Sequence, residues 1–317
     1  MTLNQLRYVV AVARERHFGR AADACFVSQP TLSVAVKKLE DELGVSLFER
    51  GAGEIGITEI GEQIVAQAQR VLEETDSVMR LARTGRDPLV GPLRFGAIYT
   101  IGPYVLPPLI PLIMQRAPQM PLLIEENFTA VLSEQLKRAE LDVILISLPF
   151  DEPGIHTLPL YDEEFVALMP GTHPWAQSER VDANELANEH VLLLGAGHCF
   201  REQVLAAFPQ CLPHGLGAGM LQRTLEGGSL ETIRYMVASG AGITVLPCSA
   251  AQQDCFGERM VCARPFAGVG PRRRVALAWR KSFTRFGAIE AIADAIRSAE
   301  LPCLHYVTST VAEAVGR

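Results

Sequence analysis

The chain has 317 residues, 48% hydrophobic and 21% charged, which supplies enough apolar material for two or three domains and excludes wholesale disorder. Its net charge of -7 leaves no global basic footprint, so any nucleic-acid surface must be local. No apolar run approaches the ~20 residues of a membrane span.

The N-terminal patch Tyr8-Val9-Val10-Ala11-Val12 is too short and too soon followed by charge to be a signal peptide. The seven cysteines form no CxxC and no Cys/His cluster at zinc spacing. A cytoplasmic chain with no cofactor, metal or membrane association is expected, and a reducing compartment argues against a permanent disulfide framework.

From Asn4 to Glu15 apolar residues fall at 6, 9, 10, 12 and 13, a helical pattern. Phe18 to Ala24 forms a second helix whose small residues permit close crossing. Cys25-Phe26-Val27 is a turn. Ser28 then caps a third helix, with Pro30 just inside its start and Gly44 at its end. Two helices, a tight turn and a capped third helix make a helix-turn-helix. Phe48 and Ile57 bracket a hairpin wing. Gln29, Thr31, Ser33 and Lys37 present side chains of the kind that reach base edges in a major groove. Arg20, Lys37, Lys38 and Arg50 are placed to hold phosphates. The wing from Gly51 to Thr58 carries no Lys or Arg and includes Glu54.

Thr58 caps a long helix running to Arg83. Ile64, Ala68, Val71, Thr75, Val78 and Ala82 step by four and three alternately, a heptad seam that predicts pairing between two chains. Thr84-Gly85-Arg86-Asp87-Pro88 ends the helix in a hinge.

Strands then alternate with helices, as expected of a parallel α/β sheet with ligands at the strand ends. The first unit has strands at Leu93–Ile98, Leu122–Ile124 and Val143–Ile146, with helices opening near Thr100 and Thr129. A second unit runs from about Phe165 to Phe266, and Val275–Trp279 returns to the first. The expected organisation is a winged helix-turn-helix over 1–58, a linker helix over 59–87 and a two-lobed effector domain over 88–317. Lobe I takes 88–163 plus 268–300, and lobe II takes 164–267.

Within lobe II, Leu192-Leu193-Leu194-Gly195-Ala196-Gly197-His198-Cys199-Phe200-Arg201 reads as a buried strand, a turn and a helix start that carries a thiol. A helix N-terminus and nearby cations favour the reactive thiolate. The alternative is a cysteine packed as a small hydrophobe.

Phe18-Gly19-Arg20-Ala21-Ala22, Val27 to Ser33, Lys38-Leu39-Glu40 and Leu43 to Arg50 resemble the LysR-type transcriptional regulators. That resemblance implies the periplasmic-binding-protein-like form of the effector domain. Tyr99 to Tyr104, Gly197 to Arg201, Ser229 to Arg234, Gly240 to Pro247 and Pro271-Arg272-Arg273 are similar to the OxyR-type hydrogen peroxide sensors within that family. The resemblance implies that Cys199 is the peroxidatic thiol of a regulator of oxidative-stress genes. It also implies that Thr100, Thr129, His198 and Glu202 lie about the peroxide, and that Arg272 or Arg273 favours the thiolate. Implied partners are operator DNA, RNA polymerase and a second copy of the chain, assembled as a dimer or tetramer.

Two departures stand out. Glu202 replaces an Asp. The resolving cysteine implied by the resemblance falls on Phe208, leaving Cys211, a more distant cysteine, an outside thiol or none. Cys248 is the alternative partner. Cys25 reads as packed in the helix-turn-helix core, and Cys248, Cys255, Cys262 and Cys303 have no paired spacing. Two other readings remain: a LysR-type regulator binding a small anionic metabolite between the lobes, and a thiol peroxidase.

Overall fold

The computed structural model describes residues 1–49, 55–84, 87–211, 226–251, 260–299, 301 and 303–316. The expected phosphate contact Arg50, the rest of the wing tip, residues 85–86 of the hinge, and Cys255 lie outside the described residues. The chain divides into two compact units, Met1–Arg86 and Asp87–Arg317.

In the first unit, α1 (Leu3–Glu15) opens with a reciprocal Thr2–Gln5 capping box. Next comes α2 (Phe18–Ala24), where His17 Nδ1 accepts from the Gly19 and Arg20 amides. The third helix, α3 (Gln29–Leu43), ends at Gly44, whose left-handed φ of 71° a residue without Cβ adopts readily. Leu32, Val36 and Leu39 of α3 are buried against Val9, Val12, Ala21 and Ala22. Their spacing puts them on one face and turns positions 29, 30, 33, 34 and 37 the other way. The wing strands β1 (Phe48–Glu49) and β2 (Gly56–Ile57) pair antiparallel. Glu40 fixes the wing to α3, its carboxylate accepting from the Leu47 and Phe48 amides at 2.7 and 3.3 Å.

Thr58 Oγ1 accepts from the Gly61 amide and caps α4 (Glu59–Thr84). The heptad seam is divided along this helix. Ala68 is buried in the unit's own core with Ile64 and Val71 partly buried against it, whereas Val78 is 64% exposed. A 3.5-residue stripe covers a neighbouring helix of the same chain as readily as one of another, and here α1 packs against α4.

The second unit runs β3 (Leu93–Ile98), α5 (Gly102–Arg116), β4 (Leu122–Asn127), α6 (Thr129–Lys137), β5 (Val143–Leu148), β6 (Ile155–Pro170), β7 (Val191–Leu194), α7 (Cys199–Ala207), β8 (Glu226–Gly227), α8 (Leu230–Ala238), β9 (Ile243–Pro247), α9 (Cys248–Ala251), β10 (Val261–Pro265), β11 (Arg272–Arg280), α10 (Phe286–Ser298), β12 (Leu304–Tyr306) and α11 (Val311–Ala314). Strands follow the order β4-β3-β5-β11-β6-β9-β7-β8, with β10 and β12 also on β6. β3 is parallel to both β4 and β5, β11 returns antiparallel between β5 and β6, and β7 is parallel to β8 and β9.

The long strand β6 belongs to both lobes. Leu158, Leu160 and Tyr161 are buried in the first core, and Phe165 to Met169 in the second. Across the junction, Gln203 Nε2 on α7 donates to Ser147 Oγ of β5 at 2.8 Å. Likewise Tyr104 Oη on α5 donates to Glu231 of α8 at 2.9 Å.

Candidate functional site

The carboxyl ends of β3, β4 and β7 converge, which is where an open α/β sheet holds ligands. Tyr99 and Thr100 follow β3, Asn127 and Phe128 end or follow β4, and Thr129 begins α6. Gly197, His198 and Cys199 follow β7. Together with Ile98 they line a cavity whose space for the centre of a water-sized molecule is about 10 Å³. That is about the room one water needs. Gly197 takes a φ of 95°, a left-handed conformation that favours glycine, and the Phe128 ring lies 3.4 Å from where a Cβ would stand.

Cys199 is half-buried and is the first residue of α7, where backbone N–H groups lack intrahelical acceptors. His198 precedes it as N-cap and is only 6% exposed. Its ring lies 4.7 Å from that of Phe128 and 6.1 Å from that of Tyr99. Burial pushes the imidazole below its usual value, opposed by a hydrogen bond to the Gly228 carbonyl. The bond joins Nε2 to that oxygen at 3.2 Å. Since a carbonyl only accepts, the neutral ring carries its proton on Nε2 and keeps Nδ1 as an acceptor.

Two hydroxyls complete the pocket. Thr100 Oγ1 accepts from Arg273 Nη1 at 2.9 Å, which leaves its own hydrogen to donate elsewhere. Thr129 Oγ1 is buried without a hydrogen-bond partner. Such a group normally finds one, and a water or another small polar molecule in the cavity would satisfy it.

Of the two expected arginines, only Arg273 reaches this assembly. It is buried, pairs with buried Glu163 at 2.7 Å and donates from Nη2 to the Thr100 carbonyl at 2.9 Å. Its guanidinium lies 5.2 Å from the centre of the Phe200 ring. Strand alternation points Arg272 outward, where it lies 3.8 Å from Glu164. Glu202 is exposed on the first turn of α7, and Arg201 donates to the Leu194 carbonyl.

The far end of α7 differs. Phe208, 2% exposed, lies with its ring centre 4.6 Å from that of Phe266, tilted against it, in the lobe II core. Cys211 packs against the same core, and burial pushes its thiol up to about 11.

In the N-terminal unit, Arg20, Ser28, Gln29, Pro30, Thr31, Lys37 and Lys38 are exposed and Ser33 is half-buried. Ser28 is the cap of α3, its Oγ accepting from the Thr31 amide and bonding Thr31 Oγ1. Arg20 Nη2 donates to the Glu15 carbonyl at 2.6 Å.

Residues 3–62 match the bacterial regulatory helix-turn-helix protein of the lysR family, and residues 86–300 match the LysR substrate binding domain. The chain belongs to the LysR family. Within that family it is 39% identical over 298 residues to the hydrogen peroxide-inducible genes activator of Dickeya chrysanthemi, covering 94% of this chain and 95% of that one. Full-length OxyR from Pseudomonas aeruginosa, solved as a cysteine-to-aspartate variant, superposes with a TM-score of 0.77 at 52% identity, over 95% of this chain and 96% of the other. A hydrogen peroxide-bound variant of Corynebacterium glutamicum OxyR gives 0.60 at 31%, over 99% and 94%. No described helix of this LysR-family chain is long and apolar enough to cross a membrane.

Sequence reasoning missed three features. Glu163 is one, because only register across β6 and β11 places it opposite Arg273. Gln203 is another. The third is a disulfide between Cys248 and Cys303, which corrects the reading of Cys248 as an alternative partner for Cys199 and of Cys303 as unpaired. They are 55 residues apart, so no local spacing could signal the pair.

Proposed function

We propose that this chain is a DNA-binding transcriptional regulator that senses hydrogen peroxide at Cys199 and controls oxidative-stress genes. The carrying observation is the cavity beside Cys199. It has room for only a very small molecule, and its hydroxyls can both donate and accept. Hydrogen peroxide has two O–H donors, oxygen lone pairs and only two heavy atoms. An anionic metabolite would not fit this space, and the regulator family argues against a thiol peroxidase.

The Cys199 sulfur attacks one peroxide oxygen and the O–O bond breaks. The leaving hydroxide takes a proton to become water, and Cys199 becomes a sulfenic acid. Thr100 and Thr129 hold the peroxide and stabilise the departing oxygen, while Arg273 fixes Thr100. Cys211 is the nearest thiol downstream in sequence, but its buried, protonated sulfur makes it a slow nucleophile. An outside thiol is therefore the better captor of the sulfenic acid.

On DNA, α3 enters the major groove with Gln29, Thr31 and Ser33 toward base edges. Pro30 shapes the helix start, and Ser28 supports it as cap. Arg20, Lys37, Lys38 and Arg50 hold phosphates. The α4 face that carries exposed Val78 pairs two chains, dimers join as tetramers, and oxidation changes their arrangement on the operator and toward RNA polymerase. A cytoplasmic location and domain limits at 58 and 87 go with this reading.

Mass spectrometry after one equivalent of peroxide should find Cys199 oxidised before any other cysteine. Cys199→Ser should keep operator binding and lose the peroxide response of a reporter. A normal response in that variant would sink the redox reading and favour a metabolite. Lys37→Ala should weaken binding to all sequences and lower the salt slope by about one.

A further inference from the structure

The geometry points to a second redox site: Cys248 and Cys303 form a reversible dithiol–disulfide pair whose bridged state speeds the reaction of Cys199. Cys248 begins α9 and is 4% exposed, and Cys303 is half-buried just before β12. Their Cα atoms are 6.3 Å apart. Disulfides in a compartment that holds DNA and reducing thiols are usually transient and redox-sensing. Cys303 also holds a left-handed φ of 64°, a conformation that non-glycine residues rarely keep without a constraint.

Each cysteine adjoins a residue that meets Glu163, one at its carboxylate and the other across the strand register. Ser249, next to Cys248, donates its amide to Glu163 Oε1 at 2.9 Å. Leu304, next to Cys303, lies opposite Glu163 in the β12–β6 register. Glu163 in turn grips Arg273, and Arg273 holds both the hydroxyl and the carbonyl of Thr100 in the Cys199 cavity. A contiguous chain of buried polar contacts thus runs from the bridge to the pocket. Closing the bridge fixes both segments around Glu163 and holds Thr100 in place. Opening it frees Cys303 and the start of β12 and loosens that hold.

The chemistry balances with hydrogen peroxide as oxidant. Cys303, the more exposed thiol, attacks peroxide, becomes a sulfenic acid and releases one water. Cys248 attacks that sulfur, the S–S bond forms, and the hydroxyl leaves with the Cys248 proton as a second water. A dithiol reductant reverses this by exchange, becoming a disulfide as both protein thiols return. Existence of the pair does not depend on the function proposed for Cys199, whereas its effect on peroxide sensing rests on that reading.

The test uses the full-length protein, folded and able to bind operator DNA. After equilibration in glutathione buffers of graded potential, alkylation and peptide mapping should show the 248–303 linkage appearing and disappearing reversibly. A pair that stays linked in excess dithiothreitol, or that never forms, would overturn the proposal. Cys199 reactivity is then read in both states by trapping of sulfenic acid after one equivalent of peroxide, and separately by iodoacetamide labelling. The bridged state should react about fivefold faster or more, the lower end of ordinary site–site coupling. The Cys248→Ala/Cys303→Ala double variant should show only the slower rate in every buffer. Equal rates in the two states, or a slower bridged state, would overturn the coupling. Iodoacetamide needs no peroxide chemistry, so failure of Cys199 as a peroxide sensor would not be mistaken for failure of the coupling.

Discussion

The two ends of α7 carry cysteines in opposite surroundings. At the first residue, Cys199 sits at a helix start without a side-chain cap, beside two hydroxyls and a cavity the size of a water molecule. Beyond the last residue, Phe208 and Cys211 pack into an apolar core. A thiol at the open end can meet a small oxidant, whereas one at the packed end is held neutral. Phe208 also replaces, by resemblance, a residue that would have to leave this core to form a disulfide. Its burial fastens the helix end that such a rearrangement would unwind.

The largest test of this contrast is mechanical. Phe208→Ala should cost about 3–5 kcal/mol in urea unfolding, as expected for emptying an aromatic core site. Cys199→Ala, in a half-buried position beside an existing cavity, should cost about 1 kcal/mol or less. Equal costs at the two ends would break the comparison.

A smaller separation should appear in thiol chemistry. Ionisation near 11 keeps Cys211 overwhelmingly protonated at neutral pH, because burial disfavours the thiolate. Its alkylation should run about a hundredfold below that of an ordinary thiol, because so much less of the reactive thiolate is present at neutral pH. The rate should rise about tenfold per pH unit until near pH 11. Fast labelling of Cys211 at neutral pH would show that the packed end is open.

Thr129→Val sharpens the polar side of the contrast. Removing a buried hydroxyl that has no partner should not lower folding stability. If it holds the reacting peroxide, oxidation of Cys199 should slow by about tenfold, the worth of one such hydrogen bond. An unchanged rate with intact folding would remove Thr129 from the site.

The smallest effect concerns His198. Its folded-state value is depressed by burial, so below the ordinary value of about 6.5 the unfolded chain binds more protons than the folded one. Its contribution is present above that pH and is lost as pH falls toward and through the folded value. The urea midpoint should drop between pH 7.5 and 5.5, and His198→Gln should reduce that drop. A drop of the same size in the variant would assign it to other groups.

Local patterns in the chain determined a great deal. Apolar periodicity and caps marked α1 to α3, Gly44 as a helix end and the thiol at a helix start. Strand–helix alternation marked the two lobes, because each such feature depends on residues only a few positions apart. Tertiary structure decided what depends on register and long-range approach. Only the pairing of β6 with β11 selects Arg273 over Arg272 and sets it against Glu163, 110 positions earlier. Only the packing of α4 divides its apolar stripe between its own domain and solvent. Only the return of β12 to β6 carries Cys303 to Cys248. A periodic pattern says which face of an element is buried, but it does not name the distant residue that will lie against it, because that choice belongs to the sheet as a whole.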